Sequence, residues 1–328
     1  MTRAARGGLP DRRELKERPG ALAGTSWNLF ADSSRGTPSF ADAAAVVGAA
    51  RSVQHGEVFG LDYPVDAFAP GMSKARKAPV HTIYANHPAH RDDFLDGFYL
   101  QGSTQIDGLR HRRADDVGFY GGVPDELIQP GTEELGIQVW ADKPIVARGV
   151  LVDVAGYLLA QGRDVDHADG QPLPFDLIPR ALEAQGAEVS TGDVVMLHTG
   201  WAEWFLGLDD ARKREQQASG RATGMAQSEE LLNWSWNSGV TLLAADNFAV
   251  ECLPPVPDSP FRQTAPNDRG MMHQEFLAKL GLPLGELWRL GPLARRMQEL
   301  GQWHALLVVK PLNVTGATGS PANATAIL

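Results

Sequence analysis

Between positions 101 and 111 the chain reads Gln-Gly-Ser-Thr-Gln-Ile-Asp-Gly-Leu-Arg-His, with polar groups at 101, 105, 107 and 111 separated by small residues. A carboxylate and an imidazole four residues apart are the groups that proton transfer and cation binding use. Imidazole titrates near neutral pH, and a carboxylate oxygen suits a hard divalent ion. Gly102 and Gly108 let the backbone bend or approach a ligand closely. Taken alone, the segment reads equally well as a polar surface turn. A second pair lies far downstream, at His273 and Glu286. By local sequence these are a helix-start histidine and a carboxylate flanking a helix.

The elements that must position these groups follow from periodicity and punctuation. Residues 40–53 place Ala and Val at helical spacing, and residues 57–61 read as a short strand. Residues 64–88, rich in Pro, Ala and Lys, read as an extended loop. Further on, strands are expected at 150–154, 194–197, 240–245 and 305–309. Helices are expected at 175–186, 228–237, 271–280 and 292–300, three of them stopped by Gly186, Gly281 and Gly301. Strands and helices alternate without a repeat or an internal composition break, which predicts one mixed α/β domain over residues 23–328. Residues 1–22, polar and rich in Arg and Gly, read as a flexible or loosely docked arm.

Composition bounds the partners. Of 328 residues, 43% are apolar, enough for a substantial core, and 30 basic against 40 acidic side chains give a net charge of -10. That balance argues against nucleic acid or an anionic membrane as partner. The single cysteine excludes an intramolecular disulfide or a cysteine metal cage. Without an apolar signal-peptide core or a membrane-length apolar run, the expectation is a cytoplasmic protein acting on a small molecule.

The segment 101–111 resembles the signature of the cyclase family (kynurenine formamidase-like and isatin hydrolase-like metal-dependent hydrolases), in which His-x-x-x-His-x-Asp binds a divalent metal and a His four residues later acts in catalysis. Three other stretches resemble the same family in the same order: residues 148–153, the block 192–201 ending His198-Thr199-Gly200-Trp201, and the tail 311–324. The resemblance implies a swivelling β/β/α fold, with a mixed sheet or small β-barrel flanked by helices, and assembly as a homodimer or homotetramer. It implies catalytic roles for His111, His273 and Glu286, and places Trp201, Asp246 and Asn247, with Gln101 and Gln105, in the substrate pocket.

Gln101 and Gln105 stand where the family carries metal-binding histidines. A set of Asp107, Gln101 and Gln105 has one charge and no nitrogen donor, so it suits Mn²⁺ or Mg²⁺ better than Zn²⁺. His81, His87, His90 and His198 are the imidazoles that could substitute, although His198 reads better as a hydrogen-bonded interior residue. The expected activity is hydrolysis of an amide, lactam or lactone, with metal-activated water and His111 as base. The alternatives are a metal-free cyclase, dehydratase or hydrolase, in which the two glutamine amides donate to a substrate carbonyl, and a non-catalytic binding protein. All enzyme readings require the loop carrying Asp107 and His111 to face the helix carrying His273 and Glu286 across one cavity.

Overall fold

Aliphatic runs at β5 (Ile145–Asp153), β7 (Val194–His198) and β9 (Leu242–Ala245) form the parallel centre of the sheet, and β7 and β9 are buried along their whole length. Near-continuous apolar strands of this kind are what a sheet covered on both faces demands. The computed structural model describes residues 8–328. The remaining strands are β1 (Val58–Gly60), β2 (Val80–Tyr84), β3 (Asp92–Asp96), β4 (Gln105–Asp107), β6 (Pro172–Leu173), β8 (Gly224–Met225), β10 (Leu284–Glu286), β11 (His304–Val309), β12 (Gly319–Ser320) and β13 (Ala324–Ile327). Nine of them make one mixed sheet in the order β1-β13-β11-β5-β7-β9-β10-β4-β12. On one side of the parallel centre β11, β13 and β1 add antiparallel; on the other, β10 joins β9 in parallel before β4 and β12 add antiparallel.

The helices are α1 (Arg12–Lys16), α2 (Ala43–Arg51), α3 (Gln138–Asp142), α4 (Val154–Ala160), α5 (Leu177–Gln185), α6 (Trp201–Leu206), α7 (Asp210–Ser219), α8 (Glu229–Asn237) and α9 (Gly291–Leu300). Their ends carry the signals expected. Ser228 caps α8 through Leu231 N, and Gly186 and Gly301 end α5 and α9 in the left-handed conformation. No helix among the described residues is long and apolar enough to cross a membrane.

The structure departs from the sequence expectation in three places. Residues 1–7 of the arm lie outside the described part, but α1 is docked rather than loose. Leu15 is fully buried, and the buried Arg12 guanidinium reaches Gly24 O at 3.0 Å and Glu275 at 3.4 Å. Residues 64–88 are not all loop, because β2 pairs with β3 in an exposed hairpin that joins no other strand. The expected helix at 271–280 is helical only from His273 and widens into a π-helical turn over Glu275–Lys279. The N-terminal segment stitches that turn in place: Ser26 N donates to Lys279 O, Trp27 Nε1 to Ala278 O and Ser26 Oγ to Leu280 O. Carbonyls bound from outside need no partner within the helix, which allows the looser turn.

Candidate active site

The site is built on the short antiparallel pair β4–β10. Glu286 lies directly opposite Gln105, and Asp107 opposite Leu284. Side chains alternate faces along a strand, while directly opposed residues share a face. Gln105, Asp107 and Glu286 therefore point the same way, with Ile106 and Gly285 on the other side. Asp107 and Glu286 thus sit on strands, where the sequence reading had a loop and a helix. Two glycines permit the arrangement. A Cβ on Gly285 would come within 2.8 Å of Ala244 Cβ and 2.6 Å of Trp288 Nε1, and one on Gly319 within 2.9 Å of the Gln101 side chain.

His273 comes over this face from the start of its helix. Its Nδ1 meets Glu251 Oε1 at 2.5 Å and its Nε2 meets Glu286 Oε1 at 3.1 Å. Glu251 also accepts from Met272 N at 2.7 Å and Gln227 Nε2 at 2.9 Å. The turn before Glu251 holds Ala249 at φ 83° and Val250 at φ 58°. The left-handed region is costly for non-glycine residues, especially a β-branched one. Strain here accompanies the precise placement of a buried carboxylate.

The other half of the site is held by amides. Gln105 Nε2 donates to Glu286 Oε2 at 2.6 Å, and its oxygen accepts from Arg76 at 3.3 Å. Gln101 Nε2 contacts both Asp107 Oδ1 and, at 3.2 Å, His111 Nδ1, while its oxygen accepts from Thr318 Oγ1 at 3.3 Å. His111 Nε2 stands 3.7 Å from Asp107 Oδ2, a gap too long for a direct hydrogen bond and wide enough for a bridging oxygen. Asp107 Oδ2 is itself buried without a hydrogen-bond partner.

Burial pushes the Asp107 carboxyl above its ordinary range, against the pull of His111 and His273. Burial also lowers the His111 pKa more than Asp107 raises it, which keeps that ring neutral. For His273 burial again disfavours the charged form, but the bonds to Glu251 and Glu286 outweigh it and push the pKa up to about 10. For Glu286 desolvation raises the pKa, and the His273 bond together with the charges of His273, Arg76 and His111 outweighs it and leaves the pKa lowered.

Asp107, His273 and Glu286 each offer a ligand atom, all within 4.8 Å of one another. Two carboxylates and an imidazole whose far nitrogen is held by Glu251, converging on an unpartnered carboxylate oxygen, fit a divalent cation. The expected ligand set of Asp107, Gln101 and Gln105 is not the one gathered here. Both amides turn their nitrogens, not their oxygens, toward the carboxylates.

Of the other expected pocket residues, Trp201 does line the narrow cavity beside Gln101, together with Phe68, Met72, Arg76, Phe248 and Leu287. Asp246 and Asn247 do not. Asp246 accepts from Thr199 N and Gly200 N at 2.7 and 2.8 Å, and Asn247 Nδ2 donates to Thr223 O at 2.7 Å, so both carboxylate and amide hold turns. His81 pairs with Asp93 on the exposed hairpin, where His87 and His90 are exposed as well. His198 is an interior residue bonded to Asp153 at 2.7 Å. Arg76 was missed because it sits in a loop without periodicity, and nothing local to Glu251 signals its grip on His273.

The "Putative cyclase" family model matches residues 67–252, more than half of the sequence, and the chain belongs to the cyclase family. The match includes Asp107, His111 and Glu251; His273 and Glu286 lie beyond it. The crystal structure of a novel cyclase is similar at 28% identity over 93% of this chain and 99% of that one, with a TM-score of 0.79. Isatin hydrolase A from Ralstonia solanacearum is 16% identical over 86% of this chain and 95% of its own, TM-score 0.53. An isatin hydrolase bound to the product analogue thioisatinate is 15% identical over 83% and 92%, TM-score 0.51. These last two show the shared fold. No curated protein matches the sequence.

Proposed function

We propose that this cavity hydrolyses an amide, lactam or lactone of a small substrate with a flat apolar body. The observation that carries the reading is the gathering of ligand atoms of Asp107, His273 and Glu286 within 4.8 Å of one another, with Asp107 Oδ2 unpartnered among the described residues and 3.7 Å from His111 Nε2, beside an aromatic-walled cavity. In the tautomer with its hydrogen on Nδ1, neutral His111 can accept at Nε2 a proton from water held in the gap between its ring and Asp107, the 3.2 Å Gln101 contact then being no hydrogen bond. The water oxygen bonds to the substrate carbonyl carbon. The carbon–nitrogen or carbon–oxygen bond then breaks with its electron pair on the leaving atom, which takes the proton back from His111. The products are a carboxylic acid and an amine or alcohol. Glu251 orients His273, and Gln105 and Gln101 fix the carboxylates of Glu286 and Asp107.

A divalent cation held by Asp107, His273 and Glu286 would polarise the carbonyl and lower the pKa of a bound water. The presence of one imidazole donor removes the reason for placing Mg²⁺ or Mn²⁺ ahead of Zn²⁺, and two carboxylates keep Mn²⁺ among the ions that suit this mixed set. To hold such an ion, His273 Nε2 would give up the proton it shares with Glu286. The metal-free reading keeps few donors, because the Gln101 NH₂ meets Asp107 and His111 and one hydrogen of the Gln105 NH₂ is held by Glu286.

Cyclic amides are the first substrates to try, since isatin hydrolases share the fold. Protein loaded with Mn²⁺ should add one water to a member of a panel of aromatic lactams, lactones and formanilides, followed by mass spectrometry. His111→Gln should lower kcat by roughly 10²- to 10⁴-fold while leaving the unfolding midpoint nearly unchanged. Full turnover in that variant would refute the role of His111. Failure of the wild type across the panel, with ligands still bound, would favour a binding protein.

A further inference from the structure

Among the described residues, Arg76 is the only charged side chain lining the cavity beside Gln101. One guanidinium nitrogen, Nη1, donates to Gln101 O at 2.6 Å and to Gln105 Oε1 at 3.3 Å. Nε and Nη2 make no hydrogen bond among the described residues. A guanidinium fork with one prong anchored and the rest unused is well suited to a second planar acceptor.

An independent observation comes from another lining residue. Trp201 is fully buried and stacks against Phe205 at 4.8 Å and Phe68 at 6.5 Å, yet its indole Nε1 has no hydrogen-bond partner. A buried donor left unpaired is costly and calls for an explanation. Two residues lining one small cavity thus carry unused donors, one of them cationic, and these call for an acceptor-rich anion. Of the remaining side chains, Phe68, Met72, Phe248 and Leu287 are apolar and Ser73 is polar, and the cavity of about 20 Å³ must widen to admit a flat hydrocarbon body. The carboxylates behind would repel an anion, but Gln105 stands between Arg76 and Glu286, bonded to both.

We propose that Arg76, assisted by the Trp201 indole N–H, recognises a carboxylate on the ligand, so that the substrate is a flat apolar molecule carrying a carboxylate in addition to the bond to be cleaved. The word substrate rests on the hydrolase reading; the recognition does not. Arg76 already ties the loop to Gln101 and Gln105, so the competing role is purely structural.

Benzoate and benzamide, equal in shape and different in charge, separate the two roles by calorimetric titration of the full-length protein. The wild type should bind benzoate more tightly. Arg76→Met should weaken benzoate roughly 10- to 100-fold with little effect on benzamide, as expected for loss of charge-assisted bonds. Trp201→Phe, which keeps the aromatic wall, should weaken benzoate several-fold. Equal binding of the two probes, binding of neither, or equal weakening of both in Arg76→Met would overturn the assignment. Should Arg76→Met not fold, the wild-type preference and its response to Trp201→Phe decide the matter. Turnover of neutral lactams with no preference for carboxylate-bearing ones would sink this assignment alone. Carboxylate-selective binding without turnover of any panel member would sink the hydrolase reading alone.

Discussion

Two histidines in this chain keep a carboxylate on Nδ1 and differ in what faces the other nitrogen. His273 meets Glu286 at 3.1 Å, whereas His198 Nε2 is 4.0 Å from Asp246 and has no hydrogen-bond partner. Burial opposes the His198 charge, but Asp153 and Asp246 win and raise its pKa. A group with a raised folded-state pKa stabilises fully below its unfolded value, about 6.5 for histidine, and loses that contribution as pH climbs through the folded value. Asp153→Asn, which keeps the cap on Gly156 N, should therefore cost on the order of 3 kcal/mol at pH 6. The deficit should shrink as pH rises through the folded-state pKa in urea unfolding; a pH-independent deficit would contradict the coupling. Little at this scale was legible beforehand. Residue types and the resemblance singled out Asp107, His111, His273 and Glu286, but the direction of a glutamine amide is set by partners far away in the chain. The bond between Glu251 and His273 spans only 22 positions, but the irregular segment between them carries no pattern that would show it.

At the scale of elements, the long apolar strands and capped helices were readable, and the short ones that carry the site were not. Gln105–Asp107 and Leu284–Glu286 are three residues each, too few to display a period, and they become strands only by pairing with each other and with β9. The π-helical turn was invisible for a similar reason, since the groups that bind its carbonyls are Ser26 and Trp27, some 250 positions earlier. Close approach of β10 to β9 leaves no room at Gly285, where a methyl group would meet Ala244 Cβ at 2.8 Å. Gly285→Ala should cost roughly 1–3 kcal/mol by overpacking. Because Glu286 is the next residue, turnover should fall more than stability alone explains. A variant as stable and as active as the wild type would show that β10 tolerates displacement and that Glu286 need not be held tightly.

Across the whole molecule, the family and the mixed α/β architecture were legible because four separated blocks shared one order. Quaternary structure was not, and we propose the homo-oligomer that the resemblance implies. The β2–β3 hairpin bears Val80, Ile83 and Phe94, each more than half exposed at 62%, 63% and 52%. A two-stranded hairpin without packing is marginal in water. Light scattering should return the mass of two or more chains, and Ile83→Glu with Phe94→Glu should lower it; a wild-type monomer would contradict the proposal. The hairpin lies between Arg76 and Gln101 in sequence, so its removal also bears on the cavity.

The most direct measurement is anomalous diffraction from crystals grown with Mn²⁺. One peak within bonding distance of Asp107 Oδ2, His273 Nε2 and Glu286, lost in Asp107→Asn together with turnover, is the result predicted. Manganese bound elsewhere, or full turnover in Asp107→Asn, would contradict it.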